Sequence, residues 1–156
     1  MATIPRPIRF VMDARIFGIP VLSGLFRQAR AIAIAKAAED PAQLDEALAQ
    51  ISEALRDGEL VCIFPEGKLT ADGEVDQFRS GISRVLAADP VPVIPVALQG
   101  LWGSFFSRRD APAMTRPFRR GFWSRIGIRV GLPVAATDAS PEHLRDLVGS
   151  LRGDWK

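Results

Sequence analysis

The hydrophobic positions of this chain fall into short continuous runs, and five of them have the length of β-strands. These runs are Ile8–Met12, Ala31–Ile34, Leu60–Phe64, Val91–Leu98 and Ile126–Val130. Leu60–Phe64 is apolar at every position, which is typical of a central strand buried on both faces of a sheet. Pro92 and Pro95 interrupt the fourth run and indicate an edge, a bulge or a strand end there.

Apolar residues spaced three or four apart predict helices between these strands. Asp40 and Pro41 predict a helix start with Asp40 as the N-cap, and Gly58 predicts its end. The apolar stripe of this helix is Leu44, Leu48, Ile51 and Leu55. Further helices are predicted over Val21–Ala29 and Gly81–Ala88, and from Ser140 onward. The order of strands and helices predicts an α/β fold, one domain with a mixed, largely parallel sheet flanked by helices.

Length and composition fit a single globular domain. The 156 residues are 47% hydrophobic and 24% charged, and the net charge is only +2. A chain of this size buries about 70% of its unfolded surface. Cys62, the single cysteine, lies in an apolar strand, which suits packing in a reducing compartment. No apolar run approaches the roughly 20 residues of a membrane span, and no signal peptide is expected.

The end of the third strand is the strongest candidate for a binding site. Pro65 lacks a backbone donor, so the chain must leave the sheet there and place Glu66 and Gly67 at the carboxyl end of the strand. Open α/β sheets bind their ligands at that edge. An ordinary strand-to-loop turn with an exposed glutamate explains the same spacing equally well.

Trp102–Arg125 combines large aromatic residues with six arginines and one aspartate, which gives a local charge of +5. Aromatic rings and cations suit the interface of an anionic membrane. They also suit single-stranded nucleic acid, or a packed core beside solvated arginines.

Two blocks of this sequence resemble those of the glycerolipid acyltransferases. Residues 64–67, Phe-Pro-Glu-Gly, resemble the family's Phe-Pro-Glu-Gly-Thr-Arg block, and residues 91–95 resemble its later Val-Pro-Val-Ile-Pro block. The resemblance covers nearly the whole chain. It is closest to the acyltransferase domain of the 2-acyl-glycerophosphoethanolamine acyltransferase/acyl-ACP synthetase type. It implies an acyltransferase that moves a fatty acyl group from acyl-ACP or acyl-CoA to a lysophospholipid. The resemblance further implies that the protein lies peripherally at the inner, cytoplasmic face of the membrane. It implies no metal or redox cofactor and no nucleic-acid partner.

The resemblance also implies roles for individual residues. Pro65, Glu66 and Gly67 would shape the acceptor site, and Pro95 would line or support the acyl path within Val93–Val96. The cations expected to pair with the acceptor phosphate are Lys36, Lys68 and Arg79. Lys36 could equally be a solvated lysine after a strand, and Arg79 could belong to an ordinary loop-to-helix junction.

One block of the family is absent from the sequence. Members carry Asn-His-x-x-x-x-Asp, in which the histidine removes a proton from the acceptor hydroxyl. His143, the only histidine here, is followed by Leu-Arg-Asp and lacks this spacing. We therefore expect an N-terminally shortened domain with impaired activity. The alternative is a non-catalytic remnant that binds a lipid or a partner.

Overall fold

The structure is a computed structural model that describes residues 6–17, 24, 26, 28–36, 38–68, 70, 72–100, 102 and 126–154. Its residues form two compact units. The first unit comprises Met1–Phe64 and Arg84–Pro90, and the second comprises Pro65–Ser83 and Val91–Lys156. Each unit has its own sheet.

The sheet of the first unit contains three parallel strands, β1 (Ile8–Asp13), β2 (Ile32–Ile34) and β3 (Leu60–Ile63), in the order β2-β1-β3. Val11 pairs with Ile32 on one side and with Ile63 on the other. The predicted parallel pairing is confirmed. The predicted position of β3 is wrong, because β1 is the central strand and β3 lies at the edge of the described sheet. The side chains of β3 are accordingly half-buried rather than covered on both faces.

Helix α2 (Pro41–Arg56) crosses from β2 to β3 and closes the core of the first unit; a single turn, α1 (Ala14–Phe17), follows β1. The predicted N-cap is confirmed, since Asp40 accepts a hydrogen bond from the N–H of Gln43 at 3.0 Å. The predicted end is confirmed too, because Gly58 has φ +75°. The buried residues of this core are Val11, Ile32, Ala47, Ile51 and Val85.

Helix α3 (Gly81–Ala88) has the predicted bounds. Val85 on its C-terminal half packs into the core of the first unit. Beyond that helix, the carboxylate of Asp89 accepts a hydrogen bond from the hydroxyl of Ser52 on α2. The helix end is thereby tied to the helix that covers the parallel sheet.

The sheet of the second unit contains two antiparallel strands, β4 (Val96–Gln99) and β5 (Gly127–Val130). Helix α4 (Pro141–Arg152) packs on β4 and has the predicted N-cap, Ser140. Gln99 joins them, since its amide donates to the carbonyl of Arg152 at 2.6 Å. One face of β4 is thus buried under α4, with Ala97 only 1% exposed.

The predicted buried strand over Val91–Leu98 is wrong in its bounds, whereas the interruption that Pro92 and Pro95 indicate is confirmed. The regular strand begins only at Val96, and its residues alternate between exposed and buried. Pro92 and Pro95 explain the difference, since neither can donate to a ladder. Only Val93, which lies between them, forms an isolated bridge, with Val134.

Two predicted segments lie outside the described residues for most of their length. These are the helix over Val21–Ala29 and the aromatic, arginine-rich segment Trp102–Arg125. Among the residues that the structure does describe, no helix is long and apolar enough to cross a membrane.

Candidate functional site

The turn that follows β3 is closed by Arg79 from the far side of the loop. The main-chain N–H of Arg79 donates to the carbonyl of Pro65 at 2.9 Å. Its Nε donates to the carbonyl of Glu66 at 3.1 Å. The two ends of the loop therefore meet at residues 65 and 66, although most of its residues belong to neither helix nor strand.

Gly67 is required at this turn for two reasons. Its φ is +64°, in the left-handed region that favours glycine. A Cβ at this position would also lie 2.7 Å from Nε of Arg79. The absence of a side chain lets the Arg79 side chain lie across the turn and keeps a guanidinium beside the Glu66 carbonyl.

Glu66 has a half-buried side chain that faces the loop. Its Oε2 accepts a hydrogen bond from the main-chain N–H of Asp76 at 2.9 Å. Burial raises the pKa of the Glu66 carboxyl, and the negative charge of Asp76 adds to the rise. The hydrogen bond from Asp76 and the positive charges of Arg152 and Lys68 oppose the rise but do not cancel it.

Lys68 extends from the same turn to the carboxylate of Asp76, and their Nζ and Oδ2 atoms are 2.6 Å apart. This contact is the main cause that holds the pKa of Asp76 below its usual value. The Lys68 side chain is 56% exposed, so its ammonium can still be reached by a ligand. The turn thus presents a cation that is oriented by an anion.

The outer part of the loop is braced by α4. The guanidinium of Arg152 donates to the carbonyl of Gly73 and forms an ion pair with Glu74 at 2.6 Å. Gly73 has φ +80°, and a Cβ there would lie 2.6 Å from the ring of Trp102. Asp72 accepts from the N–H of Glu74, as its Asp-Gly turn signal predicts. These contacts define the position of the segment that carries Asp76.

Five of the predicted site residues therefore lie together in the second unit. They are Pro65, Glu66, Gly67, Lys68 and Arg79. Pro95 belongs to the same unit and is buried, and its carbonyl accepts from the N–H of Gly131 at 2.9 Å. Pro95 thus ties the chain before β4 to the chain after β5.

Lys36 belongs to the first unit, where its ammonium pairs with Glu39 at 2.9 Å. It follows β2, as predicted.

Asp13, at the carboxyl end of β1, forms an ion pair with Arg15 at 2.6 Å. Arg15 is the main cause that lowers the pKa of Asp13 to about 2, and the charge of Lys36 contributes further.

Asp76 is the residue of the site that sequence reasoning missed. It contacts Glu66 through its backbone and Lys68 through its carboxylate, so it connects both charged side chains of the turn. In the sequence it is one of several acidic residues in a polar loop, and no motif distinguishes it from Asp72 or Glu74.

His143 lies in the first turn of α4, where its side chain is exposed and its main-chain N–H donates to Ser140 Oγ. Among the described residues no group of three or more histidine, cysteine, aspartate or glutamate side chains could hold a metal ion. The chemistry that the described turn can perform is the binding of an anionic group by Lys68 and Arg79.

Comparisons with known proteins agree on one family. A family model described as Acyltransferase matches residues 1–99. The chain is 27% identical over 100 residues to the chloroplastic 1-acyl-sn-glycerol-3-phosphate acyltransferase BAT2 of Brassica napus, covering 64% of this chain and 28% of that protein. It is 30% identical over 67 residues to a probable 1-acyl-sn-glycerol-3-phosphate acyltransferase of Mycoplasma pneumoniae, covering 43% of this chain and 25% of that protein. The chain thus spans about a quarter of the length of these relatives.

The fold is similar to a solved one. The crystal structure of the 1-acyl-sn-glycerophosphate (LPA) acyltransferase PlsC from Thermotoga maritima matches 91% of this chain and 52% of its own, with a TM-score of 0.59 and 22% identity. This likeness confirms the predicted α/β fold.

Proposed function

Because the chain belongs to the Acyltransferase family, we propose that it forms the acceptor-binding part of a lysophospholipid acyltransferase. In the proposed reaction the free hydroxyl of the lysophospholipid attacks the thioester carbonyl of acyl-CoA or acyl-ACP. A new ester bond forms, the carbon–sulfur bond breaks, and the thiol leaves with the proton. The relatives are named as 1-acyl-sn-glycerol-3-phosphate acyltransferases, which supports an acceptor that carries a phosphate.

The observation that carries this proposal is the turn at residues 66–68 with Arg79 across it. Lys68 and Arg79 are exposed cations on a glycine turn, and both are held by hydrogen bonds or ion pairs. A phosphate needs cations in fixed positions, because ordering flexible side chains on binding costs free energy. The carboxylate of Glu66 supports these cations indirectly, because it accepts from the main-chain N–H of Asp76, whose own carboxylate pairs with Lys68. The negative charge of Glu66 also offsets part of the repulsion between the cations.

The roles that we propose for Lys36 and Pro95 rest on the family resemblance. We assign Lys36 to the acceptor phosphate as well, and Pro95 to the wall or support of the acyl path. The Lys36→Ala variant should weaken phosphate binding if this assignment is right, whereas unchanged affinity would leave Lys36 as the partner of Glu39 only.

The proposed activity depends on a base that the 156 residues do not supply in the family's pattern. General acid–base assistance contributes about 10²–10⁴-fold to a rate. We therefore propose that this chain by itself transfers acyl groups very slowly. The second candidate function is a non-catalytic module that binds a lipid or a partner. It is favoured by the position of His143, an exposed residue in the first turn of α4 whose main-chain N–H donates to the N-cap Ser140.

The test measures thiol release from acyl-CoA and from acyl-ACP, with lysophosphatidate or lysophosphatidylethanolamine as the acceptor. The chain should be nearly inactive alone and active once a segment with Asn-His-x-x-x-x-Asp is joined to its N-terminus.

In that active background, Glu66→Ala should lose most of the activity while the protein still folds. Glu46→Ala, which removes an exposed carboxylate from α2, is the matched control. Turnover of the unextended chain within tenfold of the extended one would contradict the proposed need for this base. Full activity of Glu66→Ala would contradict the acceptor site.

We propose further that the protein acts at the inner face of the cytoplasmic membrane. The support is the sequence of Trp102–Arg125, with its local charge of +5 and its aromatic residues. Binding to anionic vesicles should weaken as salt rises. Replacing Arg119 and Arg120 with alanine should cost about 1 kcal/mol per charge. An affinity for anionic vesicles that is unchanged by both salt and these substitutions would contradict this role.

A further inference from the structure

The described charges at the turn balance one another. Lys68 and Arg79 are positive, and Glu66 and Asp76 are negative when ionised. The balance depends on Asp76, the residue that the family resemblance does not select. A turn with Glu66, Lys68 and Arg79 alone would carry a net positive charge and would attract anions more strongly.

Asp76 is placed to act directly on a bound anion. Its Oδ2 lies 2.6 Å from Nζ of Lys68, the most accessible ammonium of the turn. Any phosphate that contacts Lys68 must therefore come close to the carboxylate of Asp76. The side chain of Asp76 is 35% exposed, so it faces the same solvent-accessible side as its partner.

We propose that Asp76 is a specificity-determining residue of the acceptor site, one that disfavours a phosphomonoester dianion relative to a phosphodiester monoanion. This inference rests on the proposed function, because it takes the turn as the binding site of the acceptor phosphate. A fixed negative charge repels a dianion with twice the energy with which it repels a monoanion. At about 5 Å in a water-like dielectric, the repulsion lowers affinity roughly fourfold for each unit of charge on the ligand.

The Asp76→Asn variant isolates this effect. The main-chain N–H that binds Glu66 is unaffected, whereas the single amide oxygen can replace only one of the two carboxylate oxygens, which accept from Lys68 and from the main-chain N–H of Gln77. The substitution therefore removes the charge together with one hydrogen bond, and the loss of that bond acts on both kinds of phosphate alike. A purely structural role of Asp76 would change the affinity for both kinds of phosphate by the same factor.

The experiment titrates the full chain with two soluble headgroup probes and follows the amide signals of Gly67 and Asp76 by NMR. The dianion probe is sn-glycerol 3-phosphate at pH 8, where a phosphomonoester is fully ionised because its second pKa is about 6. The monoanion probe is glycerophosphoglycerol, a diester without an ammonium group. Low ionic strength keeps screening small.

Asp76→Asn should raise the affinity for glycerol 3-phosphate by roughly sixteenfold and for glycerophosphoglycerol by roughly fourfold. The ratio of the two affinities should therefore rise by roughly fourfold. Asp146→Asn removes one exposed carboxylate that pairs with Arg145 on α4 and should leave the ratio unchanged. Lys68→Met should weaken both ligands.

An equal change for both probes, or no change, would overturn the role of Asp76 while the acceptor site stands. If neither probe binds the wild type or Asp76→Asn, the phosphate site itself is contradicted, and the proposed function fails together with the inference.

Discussion

Arg79 lies across Gly67 so closely that a Cβ atom at position 67 would come within 2.7 Å of Nε of Arg79. The same Nε donates to the carbonyl of Glu66. The conformation of the glycine and the position of the guanidinium are therefore linked. A change at either residue alters the geometry of the other.

We predict that Gly67→Ala destabilises the protein by more than backbone strain alone. A left-handed conformation costs a non-glycine residue about 1–2 kcal/mol, and the new methyl group would also displace Arg79. Gly58→Ala is the matched control, because Gly58 has φ +75° and open space around it. Urea unfolding should show a larger loss for Gly67→Ala than for Gly58→Ala.

The excess should disappear in an Arg79→Ala background, where the methyl group no longer meets a guanidinium. Equal losses at positions 58 and 67 in the wild-type background would show that contact with Arg79 contributes nothing.

The parts of the fold that the sequence predicts well are those determined by neighbouring residues. The cap at Asp40 and the helix Gly81–Ala88 depend on local hydrogen bonds and spacing, and both are confirmed. The strand predicted at Val91–Leu98 depends on hydrogen bonds to a neighbouring strand. Two prolines limit that pairing to the part from Val96 onward. The two prolines indicate an interruption in the sequence itself, but they do not show at which residue the regular strand begins.

The same distinction applies to the candidate site. Glu66, Gly67 and Lys68 are consecutive, so a motif could identify them. Asp76 reaches them across a loop that Arg152 and Trp102 contact at Gly73, and these are contacts between residues far apart in the sequence. Periodicity and spacing contain no information about such contacts.

Asp13 should stabilise the fold in a pH-dependent way. Arg15 lowers the pKa of Asp13 from 3.8 to about 2, so the folded state favours the ionised carboxylate. This contribution is complete above about pH 4 and is lost as the pH falls toward 2. Because the Arg15 side chain is 67% exposed, solvent screening limits the effect, and Asp13→Asn should cost about 1 kcal/mol at pH 7.

Urea unfolding across pH 2–7 measures this contribution. The difference between wild type and Asp13→Asn should vanish near pH 2. Asp45→Asn serves as the control, since Asp45 is 74% exposed and lies 3.7 Å from Arg84. A constant difference over the whole range would show that Asp13 acts through something other than its charge.

Arg152 should hold the loop that carries Asp76. Its guanidinium bonds to the carbonyl of Gly73 and to Glu74, and its side chain is only 14% exposed. Arg152→Met keeps much of the packing but removes these bonds, which should cost about 1–3 kcal/mol. Hydrogen exchange should then be faster at the amide of Asp76, which is protected by Glu66 in the wild type.

Arg145→Met is the matched variant on the same helix. Arg145 pairs with its neighbour Asp146 and is 40% exposed, so its loss should change stability by no more than about 0.5 kcal/mol. Equal protection of the Asp76 amide in both variants would contradict the bracing role of Arg152.

Ionisation of Glu66 should lower the free energy of unfolding as the pH rises, whereas ionisation of Asp13 should raise it. Burial raises the pKa of Glu66 in the folded state above its ordinary value of 4.5. The folded state therefore binds a proton more tightly than the unfolded chain does. Stability must fall as the pH rises from about 4.5 through the raised pKa, and the loss persists above it.

Glu66→Gln should remove this dependence, because the amide stays neutral and can still accept from the N–H of Asp76. Relative to wild type, the variant should gain stability between pH 4.5 and neutrality, a window that does not overlap that of Asp13. Glu46→Gln, an exposed change on α2, should show no such gain. A protein stabilised by Glu66→Gln but weakened in phosphate binding would indicate that Glu66 is kept for the site at the expense of the fold. If Glu66→Gln is no more stable than wild type at neutral pH, then burial of this carboxylate does not destabilise the fold. The explanation that Glu66 is kept for the site at the expense of stability then fails.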